Sequence, residues 1–227
     1  MCSANSLRIT FLPTRRKRPT AASTPPAIIR PIDASRLKTY PLQRRHSKVQ
    51  VSNFAKVWTK GRSFARFLDS LPDILAVKTL REVAQAIAKA HRNGRPVIVG
   101  MGAHVVKVGL GPLLVDLMER GIVTALAMNG AVIIHDFELA FMGHTSEEVD
   151  AEIDSGRFGM AEETGRMLNE AITLGMKEGQ GLGESLGSYI HRRKQLFPHR
   201  ATSLLATGFR LGLPVTVHVA VGTDIIH

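Results

Sequence analysis

Cysteine is nearly absent from the 227 residues: Cys2 is the only one. An intrachain disulfide and any zinc site built from two cysteines of one chain are thereby excluded. No run of about 18 or more uncharged apolar residues occurs, so no transmembrane helix is expected. No internal repeat is evident. Acidic residues are scarce at the start of the chain. Residues 1–68 hold 15 Lys/Arg and a single acid, Asp33, a balance of +14, whereas residues 69–227 hold 15 basic and 18 acidic residues, a balance of −3. The overall charge of +11 therefore belongs to a tail. A nucleic-acid-binding domain is expected to carry its basic patch on the folded part, which argues against a nucleic-acid partner. The paired arginines at 15 and 16 lack a following apolar stretch, so a secretion signal is not expected.

Residues 1–36 carry Pro13, Pro19, Pro25, Pro26 and Pro31, which disfavour a packed element. They read as a disordered basic tail ahead of a domain at 37–227. A transit peptide and a short basic nuclear signal at Arg15–Pro19 are alternative readings. The tail is expected to be dispensable and the protein cytoplasmic.

Three apolar, β-rich runs follow, each ending in small and polar residues. Pro96–Gly100 leads to Met101-Gly102-Ala103-His104. Ile122–Ala127 leads to Met128-Asn129-Gly130, with His135, Asp136 and Glu138 behind. Leu213–Val221 leads to Gly222-Thr223-Asp224. Helical patterns separate them. Asp73–Ala90 has a broad apolar face closed by Gly94 as a C′ residue. Leu113–Arg120, 160–174, Leu182–Arg193 and Ala201–Leu211 read as further helices, and 131–142 is ambiguous. Thr145-Ser146-Glu147-Glu148 fits a capping box with Thr145 as N-cap. Gly175, Gly179, Gly181, Gly183 and Gly187 are read as loosening their stretch. Alternating strands and helices predict an α/β domain of three layers with a mostly parallel, Rossmann-like sheet. Ligands of such sheets bind outside the carboxyl ends of the strands.

Gly102 after a strand permits close backbone approach to a phosphate, although the G-x-G-x-x-G fingerprint is missing; a plain turn is the alternative. Asn129-Gly130 is also a common turn. His135, Asp136 and Glu138 suit a cationic substrate, a ribose hydroxyl or a metal, unless Asp136 caps a helix. Asp224 is placed to bind a ribose or amine, or to form a turn. His218 reads as a satisfied sheet residue.

Read in order, Gly102-Ala-His-Val-Val-Lys-Val-Gly109-Leu, Asp116-Leu-Met-Glu-Arg-Gly121-Ile-Val-Thr, Ala127-Met-Asn-Gly-Ala-Val132 and Leu213-Pro-Val-Thr-Val-His-Val-Ala-Val-Gly-Thr-Asp224 resemble the deoxyhypusine synthase family, in the manner of its bacterial relatives. The resemblance implies an NAD-binding, Rossmann-like fold and a homo-oligomer, a homotetramer in that family. It implies transfer of an aminobutyl group from a polyamine or other small amine to a protein acceptor. It assigns Gly102, Ala103, His104, Asn129, Gly130 and Asp224 to NAD, and Asp136 and Glu138 to substrate. The family's imine-forming lysine lies beyond residue 227, so the domain is expected to be incomplete at its C-terminus. Two alternatives stand beside this. One is a metal-dependent hydrolase using His104, His135, Asp136 and Glu138. The other is a non-catalytic nucleotide-binding or oligomerisation module.

Overall fold

A computed structural model of the chain describes residues 33–222 and 226. Most of the 1–36 tail and Asp224 therefore lie outside the described residues. The chain divides into two units, Met1–Lys48 and Val49–His227. In the first, the described residues form two single-turn 3-10 helices, Ala34–Arg36 and Leu42–Arg44, with no buried residue.

The second unit is α/β. Its strands β1 (Ile98–Met101), β2 (Ala125–Asn129) and β3 (Val215–His218) form an open sheet in the order β1-β2-β3. Both pairings are parallel. Helices α1 (Phe64–Ser70) and α2 (Leu75–Arg92) precede the sheet. Helices α3 (His104–Lys107) and α4 (Gly111–Glu119) join β1 to β2. The β2–β3 crossover holds α5 (Gly130–Met142), α6 (Val149–Glu152), α7 (Glu162–Lys177), α8 (Leu182–Arg192) and α9 (Leu204–Leu211). No described helix is long and apolar enough to cross a membrane.

Side chains alternate along each strand. One face presents Val99 and Met101, Leu126 and Met128, and Val215 and Val217, all within or against the hydrophobic core. Two crossovers running in the same direction put their helices on one face when both are right-handed, and the burial follows that rule. The core gathers there around α5, whose Val132, Ile133, Phe137 and Ala140 are fully buried. Phe197 meets Phe137 edge-on, with ring centroids 5.4 Å apart. The opposite face, with Ile98, Gly100, Ala125, Ala127 and Thr216, is exposed or half-exposed. The third layer expected from the sequence is not packed on it among the described residues, and α2 has no buried residue. The helix itself ends as forecast. Gly94 takes φ +60°, its N–H donates to the His91 carbonyl, and the Arg95 N–H donates to that of Ala90, a Schellman closure.

Candidate functional site at the carboxyl ends of the strands

The register places three chain segments side by side at one sheet edge. Met101 pairs with Met128, so Gly102 follows beside Asn129, and Asn129 pairs with His218. Gly102, Asn129 and His218 are all exposed. Asn129 ends β2 and caps α5, its Oδ1 accepting from the Val132 N–H at 3.3 Å. This is the N-cap bond that short polar side chains supply. Its amide nitrogen faces Gly102: a Cβ added at Gly102 would lie 3.6 Å from Asn129 Nδ2. Gly130, the first residue of α5, is buried. Ala103 is half-buried and caps α3, and His104 is the exposed first residue of that helix. His218 was read as a satisfied sheet residue. Its Nε2 lies 3.0 Å from Thr216 Oγ1, and its place as the last residue of β3 brings it into the row. Strand-end position was the signal available for it.

The acidic group divides. Asp136 is fully committed inside the fold. Its carboxylate accepts from Ser203 Oγ at 2.6 Å, the Leu204 N–H at 2.8 Å and the Leu205 N–H at 3.2 Å. It thus closes the N-terminus of α9. Burial raises its pKa, against the lowering by these donors. No oxygen is left over for a substrate, and we remove Asp136 from the substrate-binding set on that ground.

Glu138 belongs to a polar relay instead. Thr145 Oγ1 donates to Glu138 Oε2 at 2.5 Å, and Thr164 Oγ1 donates to Oε1 at 3.0 Å. His135 Nδ1 lies 2.7 Å from Thr145 Oγ1. Thr145 therefore does not cap a helix as its capping-box sequence forecast. Helix α6 begins only at Val149, capped by Glu148. Thr145 stood out in the sequence only as a helix cap and Thr164 not as a site residue, because what recruits them is contact across 7 and 26 residues. Glu138, Thr145 and Thr164 also line a cavity of about 390 Å³ with Phe141 and Met142. The metal alternative fails on geometry. Among the described residues no three His, Cys, Asp or Glu side chains are grouped to hold an ion, since Asp136 is turned to α9 and Glu138 to two threonines.

The His135 pKa is lowered, chiefly by burial; Glu138 opposes the shift, and Lys107 and His104 add to it. The folded protein thus favours the neutral ring. Stability from this group is complete above its ordinary value of 6.5 and is lost as pH falls through the lowered one. The melting temperature is expected to drop as the pH falls from 6.5 through the lowered value, and less steeply in His135→Gln. Identical pH slopes for the two proteins would refute this role. His191, also lowered by burial, contributes to both slopes and cancels in the comparison.

No family model and no curated protein matches this chain. The solved structures similar to it include ArgZ, an arginine dihydrolase of the cyanobacterial ornithine–ammonia cycle. The identity is 18% and the TM-score 0.45, over 66% of this chain and 19% of that one. Another is a conserved LOR/SDH protein from Methanococcus maripaludis, at 15% identity and TM-score 0.42, over 86% of this chain and 49% of that one. The chain spans about a fifth and about half of their respective lengths. At these scores the likenesses carry no functional argument. Neither is a deoxyhypusine synthase, and the resemblance drawn from the sequence is overturned. With it fall aminobutyl transfer from a polyamine and the homotetramer. The motifs that carried the resemblance are short apolar runs ending in glycine, a pattern that buried parallel strands followed by turns produce in general.

Proposed function

We propose that this domain binds a small phosphorylated ligand of the nucleotide class along the carboxyl ends of its Rossmann-like sheet. The observation that carries the reading is the row formed by Gly102, which follows β1, and by Asn129 and His218, the paired last residues of β2 and β3, at one exposed edge. Ligands of open parallel sheets lie at that edge. Gly102 supports close backbone approach, because the space a Cβ would take beside Asn129 is free. Helix α5 starts there directly and favours an anion at its first turn. Ala103, His104 and Gly130 flank the row. NAD is the first ligand to test, beside AMP and ATP.

The test uses calorimetry on the full chain. Gly102→Ala is expected to keep the parental melting temperature, since the new Cβ meets only Asn129 Nδ2 at ordinary contact distance, 3.6 Å. Gly102→Val branches into the approach path and is expected to weaken nucleotide binding about tenfold or more, as loss of close backbone–phosphate contact implies. Equal affinity in parent and Gly102→Val would move the site elsewhere. No binding of any of the three nucleotides would end the reading.

A further inference from the structure

We propose that the groove between α7 and α8 binds a small zwitterion, its carboxylate held by Arg192 and the Ser188 hydroxyl and its ammonium by Glu178. This goes beyond the nucleotide reading and does not depend on it.

The groove comes from the way the two helices meet. Residues 178–181 turn the chain between them. A Cβ on Gly175 would fall on the Ser185 side chain, so the helices touch there. The Tyr189 hydroxyl donates to Glu170 Oε2 at 3.1 Å. Glu170 precedes Gly175 and Tyr189 follows Ser185, so the helices run antiparallel. A cavity of about 390 Å³ lies along them, with Ala171, Leu174, Glu178, Ser188, Tyr189 and Arg192 in its walls.

The first pointer to a ligand is Ser188. It is only 5% exposed and lines the cavity. Its hydroxyl has no hydrogen-bond partner among the described residues. Ser185, one turn earlier, differs: its Oγ donates to the Gly181 carbonyl at 2.9 Å. Buried hydroxyls in native proteins are nearly always partnered, and this one borders a space that a ligand can fill.

The second pointer is charge. Glu170 is occupied by Tyr189 and by Arg193, whose Nη2 lies 3.5 Å away. The Arg193 guanidinium carbon also sits 3.7 Å from the centre of the Tyr189 ring. Arg192 and Glu178 are the charges left over. Among the described residues neither forms an ion pair. The Arg192 guanidinium carbon is 5.4 Å from the centre of the Phe209 ring, which steadies the group without neutralising it. Ser188 and Arg192 are four residues apart on α8 and share a face, so one carboxylate can accept from both. Glu178 stands beside Gly175, its N–H bonded to that carbonyl. Arg192 lies about 10 Å beyond Ser185 along the α8 axis. Opposite charges thus mark the two ends of the cavity, with Ala171 and Leu174 between them. A simple anion would be repelled by Glu178 and a simple cation by Arg192. A molecule with a carboxylate, an apolar middle and an ammonium satisfies both ends.

The test is a ligand-observed NMR titration of the full chain with 6-aminohexanoate, beside hexanoate and hexylamine as singly charged controls. 6-Aminohexanoate is expected to bind saturably and about tenfold or more tighter than either control, the worth of one charged hydrogen bond. Arg192→Gln should lower its affinity to that of hexylamine, and Glu178→Gln to that of hexanoate. Ser188→Ala should weaken binding about three- to tenfold, as loss of one hydrogen bond implies. The same variant should melt at or above the parental temperature, because the hydroxyl removed has no partner in the free protein. Circular dichroism checks the fold of each variant. No saturable binding, equal binding of the three probes, unchanged affinity in Arg192→Gln and Glu178→Gln, or a melting temperature lowered by several degrees in Ser188→Ala would overturn the proposal. Gly102→Val should bind 6-aminohexanoate as the parent does, which separates this failure from failure of the nucleotide reading.

Discussion

Asp136→Ala is expected to remove about 3 kcal/mol or more of folding stability, read as a shift of the urea midpoint. The carboxylate is fully buried, and three donors from the start of α9 converge on it. Truncation leaves the Ser203 hydroxyl and the Leu204 and Leu205 N–H groups in the interior without an acceptor. Each such orphan costs about 1–3 kcal/mol. Against a total stability of about 5–15 kcal/mol for a domain, the loss is a large fraction. Asp136→Asn retains one acceptor oxygen but turns an NH2 toward N–H donors, so it should fall between parent and alanine. A midpoint shift worth under about 1 kcal/mol for Asp136→Ala, the size of one ordinary hydrogen bond, would show that the contact is dispensable. The consequence reaches the site. Asp136 ties α5, which Asn129 caps, to α9, which leads into β3 and His218. Losing the tie should loosen both sides of the strand-end row.

The sheet was legible because a parallel strand buried on a helical face reads as an apolar run. Its ends were not. The run at Ile122–Ala127 becomes β2 at Ala125–Asn129, because Val123 packs into the core from a loop while Asn129 closes the strand. That displacement makes Asn129 both strand end and helix cap. Helix α5 was ambiguous for a physical reason: it is buried on several sides and shows no single apolar stripe. Helix α2 was the clearest pattern and is nevertheless exposed, since amphipathicity states which face would be buried and not what covers it. The pairs that build the site were hidden. Asp136 meets residues 67 to 69 positions away, and the order of motifs along the chain encodes no such contact.

The glycines after α7 were misread in the opposite sense, and they carry the second large effect. Gly183 and Gly187 lie inside α8, where they bring two backbones together. A Cβ on Gly183 would run into the main-chain carbonyl of Val215 in β3. On Gly187 it would run into the Leu205 carbonyl and lie 3.0 Å from Phe209 Cβ in α9. Main-chain atoms cannot rotate aside, so α8 must move. Each glycine-to-alanine change is expected to cost about 2–3 kcal/mol by overpacking, although alanine favours a free helix by about 1 kcal/mol. Gly165→Ala in α7 is the matched control, since a Cβ there meets nothing within 4 Å. It should stabilise by about 0.5–1 kcal/mol. Urea unfolding of the three variants beside the parent reads all of these. A neutral or stabilised Gly183→Ala would mean that α8 and β3 do not meet as described, and His218 would then not be held in line with Asn129.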